Sequence, residues 1–146
     1  LSCEKILRMD IGLTAFSCIG FFIVRFSWRD VSLISGLLIV AGVLLGIWSL
    51  WVMRRSKLRL LPDPSENAVL ITEGPYKIIR HPMYSAVLLF CAGLNHWVVF
   101  EEYMVYIMLL ITLVVKLFFE EQMLAEKFEN YCHYQLRSYR IVPFIF

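Results

Sequence analysis

Charge is what this sequence has least of. Of 146 residues, 18% are charged and 60% hydrophobic, with a mean hydropathy of +0.70, which sets the chain apart from ordinary soluble domains and predicts a bilayer protein. The net charge is only +2 and no basic run is interleaved with aromatics, so no nucleic-acid partner is expected. Cysteine is sparse and unpatterned: Cys3, Cys18, Cys91 and Cys132 show no CxxC and no Cys/His ligand spacing. Cys132 and His133 are adjacent but lack further ligands, so no metal is expected. Residues 11–24 have the length of a signal-peptide core, but no small-residue cleavage site follows them. The chain starts at Leu1 rather than Met, so its N-terminus reads as trimmed.

What is present in quantity is long apolar runs. They predict an all-α polytopic membrane protein, a single membrane-embedded domain over residues 1–146, with about four transmembrane helices at 11–28, 33–53, 84–100 and 103–119. The first run ends past Arg25, which can snorkel, and Arg29 and Asp30 make a short polar turn. The second is uncharged, and Gly42 and Gly46 give it a small-xxx-small spacing suited to close helix packing. Asn95 and His96 fall near the far end of the third run, where solvent or headgroup contact is expected, and Glu101 and Glu102 form the next turn. Lys116 alone interrupts the fourth.

Four crossings place both termini on one side. Lys and Arg number two in the N-terminal lead, six in the loop 54–82 and four from Lys116 onward, against two in the first turn and none in the second. The enrichment predicts that both termini and the long loop are cytoplasmic.

Two polar segments then share that face. Within the loop, prolines break regular structure and residues 69–72 form a β-prone run; the candidate site spans 70–84. Pro82 suits the first position of a helix with His81 as its N-cap. The free N–H groups of that first turn, with Lys77, Arg80 and His81 nearby, make an anion site suited to a carboxylate or phosphate. After the fourth run, residues 120–139 read as a cytoplasmic amphipathic helix with Leu124, Phe128, Tyr131 and Tyr134 on one side and Glu126, Glu129, His133 and Arg137 on the other. Glu120 projects on the aromatic side and needs a partner there, whereas Glu121 fits either a packed or a solvated position.

The ordered set Gly74-Pro75-Tyr76, Arg80-His81-Pro82-x-Tyr84, Glu120-Glu121-x-x-Leu124-x-x-x-Phe128, Tyr131, Tyr134 and Arg140-x-x-Pro143 resembles the isoprenylcysteine carboxyl methyltransferase and phospholipid methyltransferase family of integral membrane enzymes. The likeness covers roughly residues 70–143; the first two runs agree only in being apolar. It implies methyl transfer from S-adenosylmethionine, at the cytoplasmic membrane face, to a lipid-like or prenylated acceptor entering from the bilayer. Isoprenylcysteine carboxyl methylation is the nearest expectation; phospholipid N-methylation and small-thiol S-methylation are alternatives.

On that likeness the cofactor-binding residues are Gly74, Pro75, Tyr76, Arg80, His81, Pro82, Tyr84, Glu120, Glu121, Tyr131 and Tyr134. The donor's carboxylate suits the helix start, its ammonium and ribose hydroxyls suit Glu120 or Glu121, and its sulfonium suits aromatic faces. Arg140 is the candidate for orienting a carboxylate acceptor, and Glu121 or His81 the candidate base for an amine. No glycine-rich dinucleotide fingerprint is present, so the donor is held differently from soluble methyltransferases. Two other classes stay open: an NADPH-dependent sterol-type reductase, and a membrane scaffold without cofactor.

Overall fold

A computed structural model of the protein describes residues 2–25, 32–54, 72–96, 99–128 and 131–142. Among them it is all-α: α1 (Ser2–Arg25), α2 (Leu33–Met53), α3 (Pro82–Leu94), α4 (Phe100–Lys127) and a short α5 (Tyr131–Gln135), with a 3₁₀ turn at Gly74–Lys77. The polar turn at 29–30, the loop 55–71 with most of its β-prone run, and Pro143 lie outside the described residues.

Two of these helices, α2 and α4, are long and apolar enough to cross a membrane, rather than the four expected. Little of either is covered by protein, with 11% of the most apolar stretch of α2 and 22% of that of α4 buried, unlike the core helix of a soluble domain. The expected span 84–100 is instead a helix of 13 residues, about 20 Å long and short of a bilayer core. Pro82 starts it and Asn95, in extended conformation, ends it. Helix α1 carries Glu4, Lys5, Arg8 and Asp10 in its first turns, which leaves only residues 11–25 as its apolar described part.

Helix α2 packs antiparallel to α3 through glycine on both sides. A Cβ at Gly42 would lie 2.7 Å from the Phe90 nitrogen and 2.8 Å from the Ala86 oxygen, and one at Gly93 would lie 2.8 Å from the Ser35 oxygen. Backbone therefore touches backbone, a contact that any side chain would hold apart. Gly46 makes only an ordinary contact, 3.6 Å from Ala86, so the expected pair divides its role between Gly42 and Gly93 of the facing helix.

Helix α4 lines the core with Leu109, Leu113 and Leu117 against Phe22 of α1 and Leu88 and Cys91 of α3. At its start Glu101 and Glu102 form the first helical turn rather than a loop, where the positive end of the helix favours acids. Glu102 is buried and accepts from the His96 N–H at 2.7 Å, with the His96 ring at 3.1 Å and Arg25 Nε at 3.9 Å. Asn95, expected at solvent, is buried beside them in sequence.

The amphipathic helix expected over 120–139 does not run through. Helix α4 continues unbroken from the apolar run to Lys127, Phe128 turns extended, and α5 holds only five residues. The chain then doubles back so that residues 138–141 lie along 78–81 in a parallel pairing. Tyr139 N donates to Ile78 O at 2.8 Å, Arg80 N to Tyr139 O at 2.7 Å and His81 N to Arg140 O at 3.0 Å. These bonds satisfy backbone groups that a straight helix would leave in the loop unpaired, so tertiary pairing overrides the helical period.

Candidate active site

Three segments meet at one end of the helices: the 3₁₀ turn with the start of α3, the last turns of α4, and the returning strap 138–141. Gly74 fixes the first. Its φ of +60° favours glycine, and a Cβ would also lie 2.9 Å from Val52 Cγ2 of α2. Pro75 and Tyr76 are buried beneath it.

Glu121 is the hub. The inward stripe Leu109, Leu113, Leu117 steps by four residues to Glu121, so the carboxylate enters the core on the same face. Arg80 Nε donates to Glu121 Oε1 at 2.7 Å and Arg140 Nε to Glu121 Oε2 at 3.1 Å. The Arg80 side chain is 7% exposed, and its NH1 group also donates to the carbonyls of Gln135 (2.8 Å) and Ser138 (2.6 Å). Two guanidinium groups on one buried carboxylate keep all three charged and fixed. Arg140 is one-third exposed and lies over the Phe118 ring, 5.2 Å from its centroid.

Glu120 is less deeply placed, about a third exposed. The aromatic stripe drawn through Phe128, Tyr131 and Tyr134 had pointed it inward; the break at Phe128 removes that stripe, and the leucine ladder selects Glu121. Glu120 Oε2 lies 3.7 Å from His81 Nδ1, and Glu120 Oε1 lies 3.8 Å from Lys116 Nζ.

His81 stands at the N-cap of α3 but makes no capping bond with its side chain. Its ring stacks on Tyr84 at 5.3 Å and 6°, and Nε2 is 3.8 Å from Glu121 Oε1, beyond hydrogen-bond length. Pro82 is fully buried at the first position of the helix. The backbone donors of this corner serve the chain itself: Tyr84 N and Ser85 N to His81 O, Arg80 N and His81 N to the strap. Lys77 is exposed.

The tyrosines differ in position. Tyr131 is fully buried, and among the described residues its hydroxyl and His81 Nε2 have no hydrogen-bond partner. Tyr134 donates to the Tyr76 carbonyl at 2.6 Å. Burial, and then the nearby Glu120, pushes Tyr76 up to about 12. Burial likewise pushes Tyr134 to about 12, against the opposing pull of Arg80. Both stay neutral donors over the physiological range.

Sequence reasoning missed Ser85, whose hydroxyl donates to Ile141 O at 2.5 Å, and the carbonyls of Gln135 and Ser138. A carbonyl is common to every residue, so nothing in the sequence marks those two. It also left Lys116 as a snorkelling lysine, although its ammonium lies over the Tyr84 ring at 5.6 Å.

A family model described as phospholipid methyltransferase matches residues 31–131. The chain belongs to the phospholipid methyltransferase family. No curated protein and no solved structure matches it. The matched region takes in α2, α3, α4, Gly74 to Tyr84, Glu120, Glu121 and Tyr131; Tyr134 and Arg140 lie beyond it. Membership implies methyl transfer, and the family with the two apolar helices indicates a membrane setting.

Proposed function

We propose that the chain is an S-adenosylmethionine-dependent integral membrane methyltransferase. Its acceptor is a lipid-like molecule entering from the bilayer, and its site lies on the cytoplasmic face with both termini. One observation carries the reading: the two separated halves of the motif, Arg80-His81-Pro82-x-Tyr84 and Glu120-Glu121, meet within hydrogen-bond distance although Arg80 and Glu121 are 41 residues apart.

The residues fit that donor chemically. Glu120 offers a one-third exposed carboxylate to an ammonium or to ribose hydroxyls, and the buried polar atoms His81 Nε2 and Tyr131 Oη have hydrogen-bonding capacity in hand. The half-buried Tyr84 and Tyr134 present rings to a cation. When bound, S-adenosylmethionine supplies a methyl group whose bond to sulfur breaks, the electron pair staying on sulfur, as the acceptor's lone pair forms its new bond to carbon.

A carboxylate acceptor releases no proton, but an amine or thiol must lose one. His81 and Glu120 are the pair to receive it, since Glu120 is open to solvent at 34% and lies 3.7 Å from His81 Nδ1. Glu121 is a poorer base: Arg80 and Arg140 hold it as an anion, so its part is to position both guanidinium groups. Arg140, the more exposed of the two, remains the arginine for a carboxylate acceptor.

The test is calorimetric titration of the detergent-purified protein with S-adenosylhomocysteine, beside NADPH. The expected result is binding of the first alone. Binding of NADPH alone, or of neither, would overturn the reading.

A further inference from the structure

Lys116 is the only charged residue between Tyr103 and Phe119. An ionisable side chain in so apolar a run either reaches out to headgroups or belongs to a functional site. This one is turned toward the site. Its Nζ lies 5.6 Å over the Tyr84 ring and 3.8 Å from Glu120 Oε1. Tyr84 in turn stacks on His81, and Glu120 Oε2 faces His81 Nδ1 at 3.7 Å. Lys116, Tyr84, His81 and Glu120 therefore close a ring at the edge of the candidate site, and Lys116 is its member on the apolar side.

We propose that Lys116 anchors the anionic group of the acceptor lipid, a phosphodiester beside a reactive amine or a carboxylate that is itself the methyl acceptor. The proposal rests on the methyltransferase reading above. A lipid whose tail stays in the bilayer brings its anion into a poorly solvated place, and that anion needs a cation at the same depth. Arg80 is buried on Glu121 and two carbonyls, whereas the Lys116 side chain is 35% exposed.

The present partner of Lys116 does not obstruct this. An ion pair with both side chains a third exposed is weakly held, and the flexible lysine stem lets the ammonium change partner. When it does, Glu120 is left facing the amine end of a zwitterionic headgroup. The order of charges, cation toward the lipid and carboxylate toward the donor, complements a zwitterionic headgroup at both ends and a lone carboxylate at one.

The experiment compares wild type, Lys116→Gln and Lys116→Arg in detergent micelles. Methyl transfer from labelled S-adenosylmethionine is measured to phosphatidylethanolamine, to N-acetyl-farnesylcysteine and to a long-chain primary amine without an anion. The expected result is a KM raised roughly tenfold or more by Lys116→Gln for the anionic-group acceptor that wild type uses, since a charge-assisted contact is lost. Lys116→Arg restores part of it, the long-chain amine is unaffected, and affinity for S-adenosylhomocysteine is unchanged. A rise for phosphatidylethanolamine identifies the phosphodiester as the anion, and a rise for the farnesylcysteine identifies the carboxylate. Unchanged KM for both, or a loss of S-adenosylhomocysteine binding in Lys116→Gln, would overturn the proposal while wild-type turnover stands. Absence of transfer by wild type to every acceptor would instead fail the methyltransferase reading and the anchor with it.

Discussion

Neighbouring glutamates here do different work. Glu121 is buried between two guanidinium groups, so Glu121→Ala leaves the Arg80 guanidinium buried without its carboxylate, a loss of about 3–5 kcal/mol for a broken buried pair. We expect a clear drop in thermal stability together with lost S-adenosylhomocysteine binding. Glu120→Ala, at a side chain one-third exposed, should change stability by no more than about 1 kcal/mol and still abolish cofactor binding. Equal melting losses in the two variants would contradict the assignment of the buried role to Glu121. The choice between them was open in the sequence, because a helical wheel depends on where the helix ends. The stripe Leu109, Leu113, Leu117 pointed to Glu121 all along; reading backward into the apolar run finds it, and reading forward through Tyr134 does not.

Among the elements, the α2–α3 contact and the C-terminal strap hold the site in place. Gly42→Ala and Gly93→Ala should each destabilise by about 1–3 kcal/mol, because a methyl group meets backbone that cannot step aside. Gly36→Ala, with nothing within 4 Å, is the control and should be neutral or slightly stabilising in the same melting experiment. The strap is held partly by Ser85. Ser85→Ala removes its bond to Ile141 O and should cost about 1 kcal/mol in a melting experiment, with a raised KM for a carboxylate acceptor through the displaced Arg140. One glycine of the helix contact was legible as a spacing, but Gly93 was not, since its significance depends on which helix faces α2. The strap left no periodic signal at all, because its bonds are made by main-chain groups.

For the molecule as a whole, the arrangement predicts two ends of opposite exposure. The site end carries Cys132, which is exposed, and the other end carries the exposed Glu101. In sealed vesicles of a Cys3→Ser background, a membrane-impermeant thiol reagent should label Cys132 from the cytoplasmic side, and a cysteine placed by Glu101→Cys from the opposite side. Labelling of both from one side would remove the multi-pass topology. Cys18 and Cys91 are buried and should not interfere.

Composition by itself determined that the chain is helical and apolar, and the order of motifs determined its family, since both are properties of residue type and spacing. Proline at 82 likewise set the start of α3 without help from the fold. The tertiary structure alone decided the rest. It ended α3 at Leu94 and the long final helix at Lys127, joined Glu121 to two distant arginines, and engaged Arg80 internally. The Arg80–Glu121–Arg140 cluster and the strap depend on contacts between residues far apart in the chain, where the satisfaction of buried charges and main-chain hydrogen bonds outweighs local helical preference.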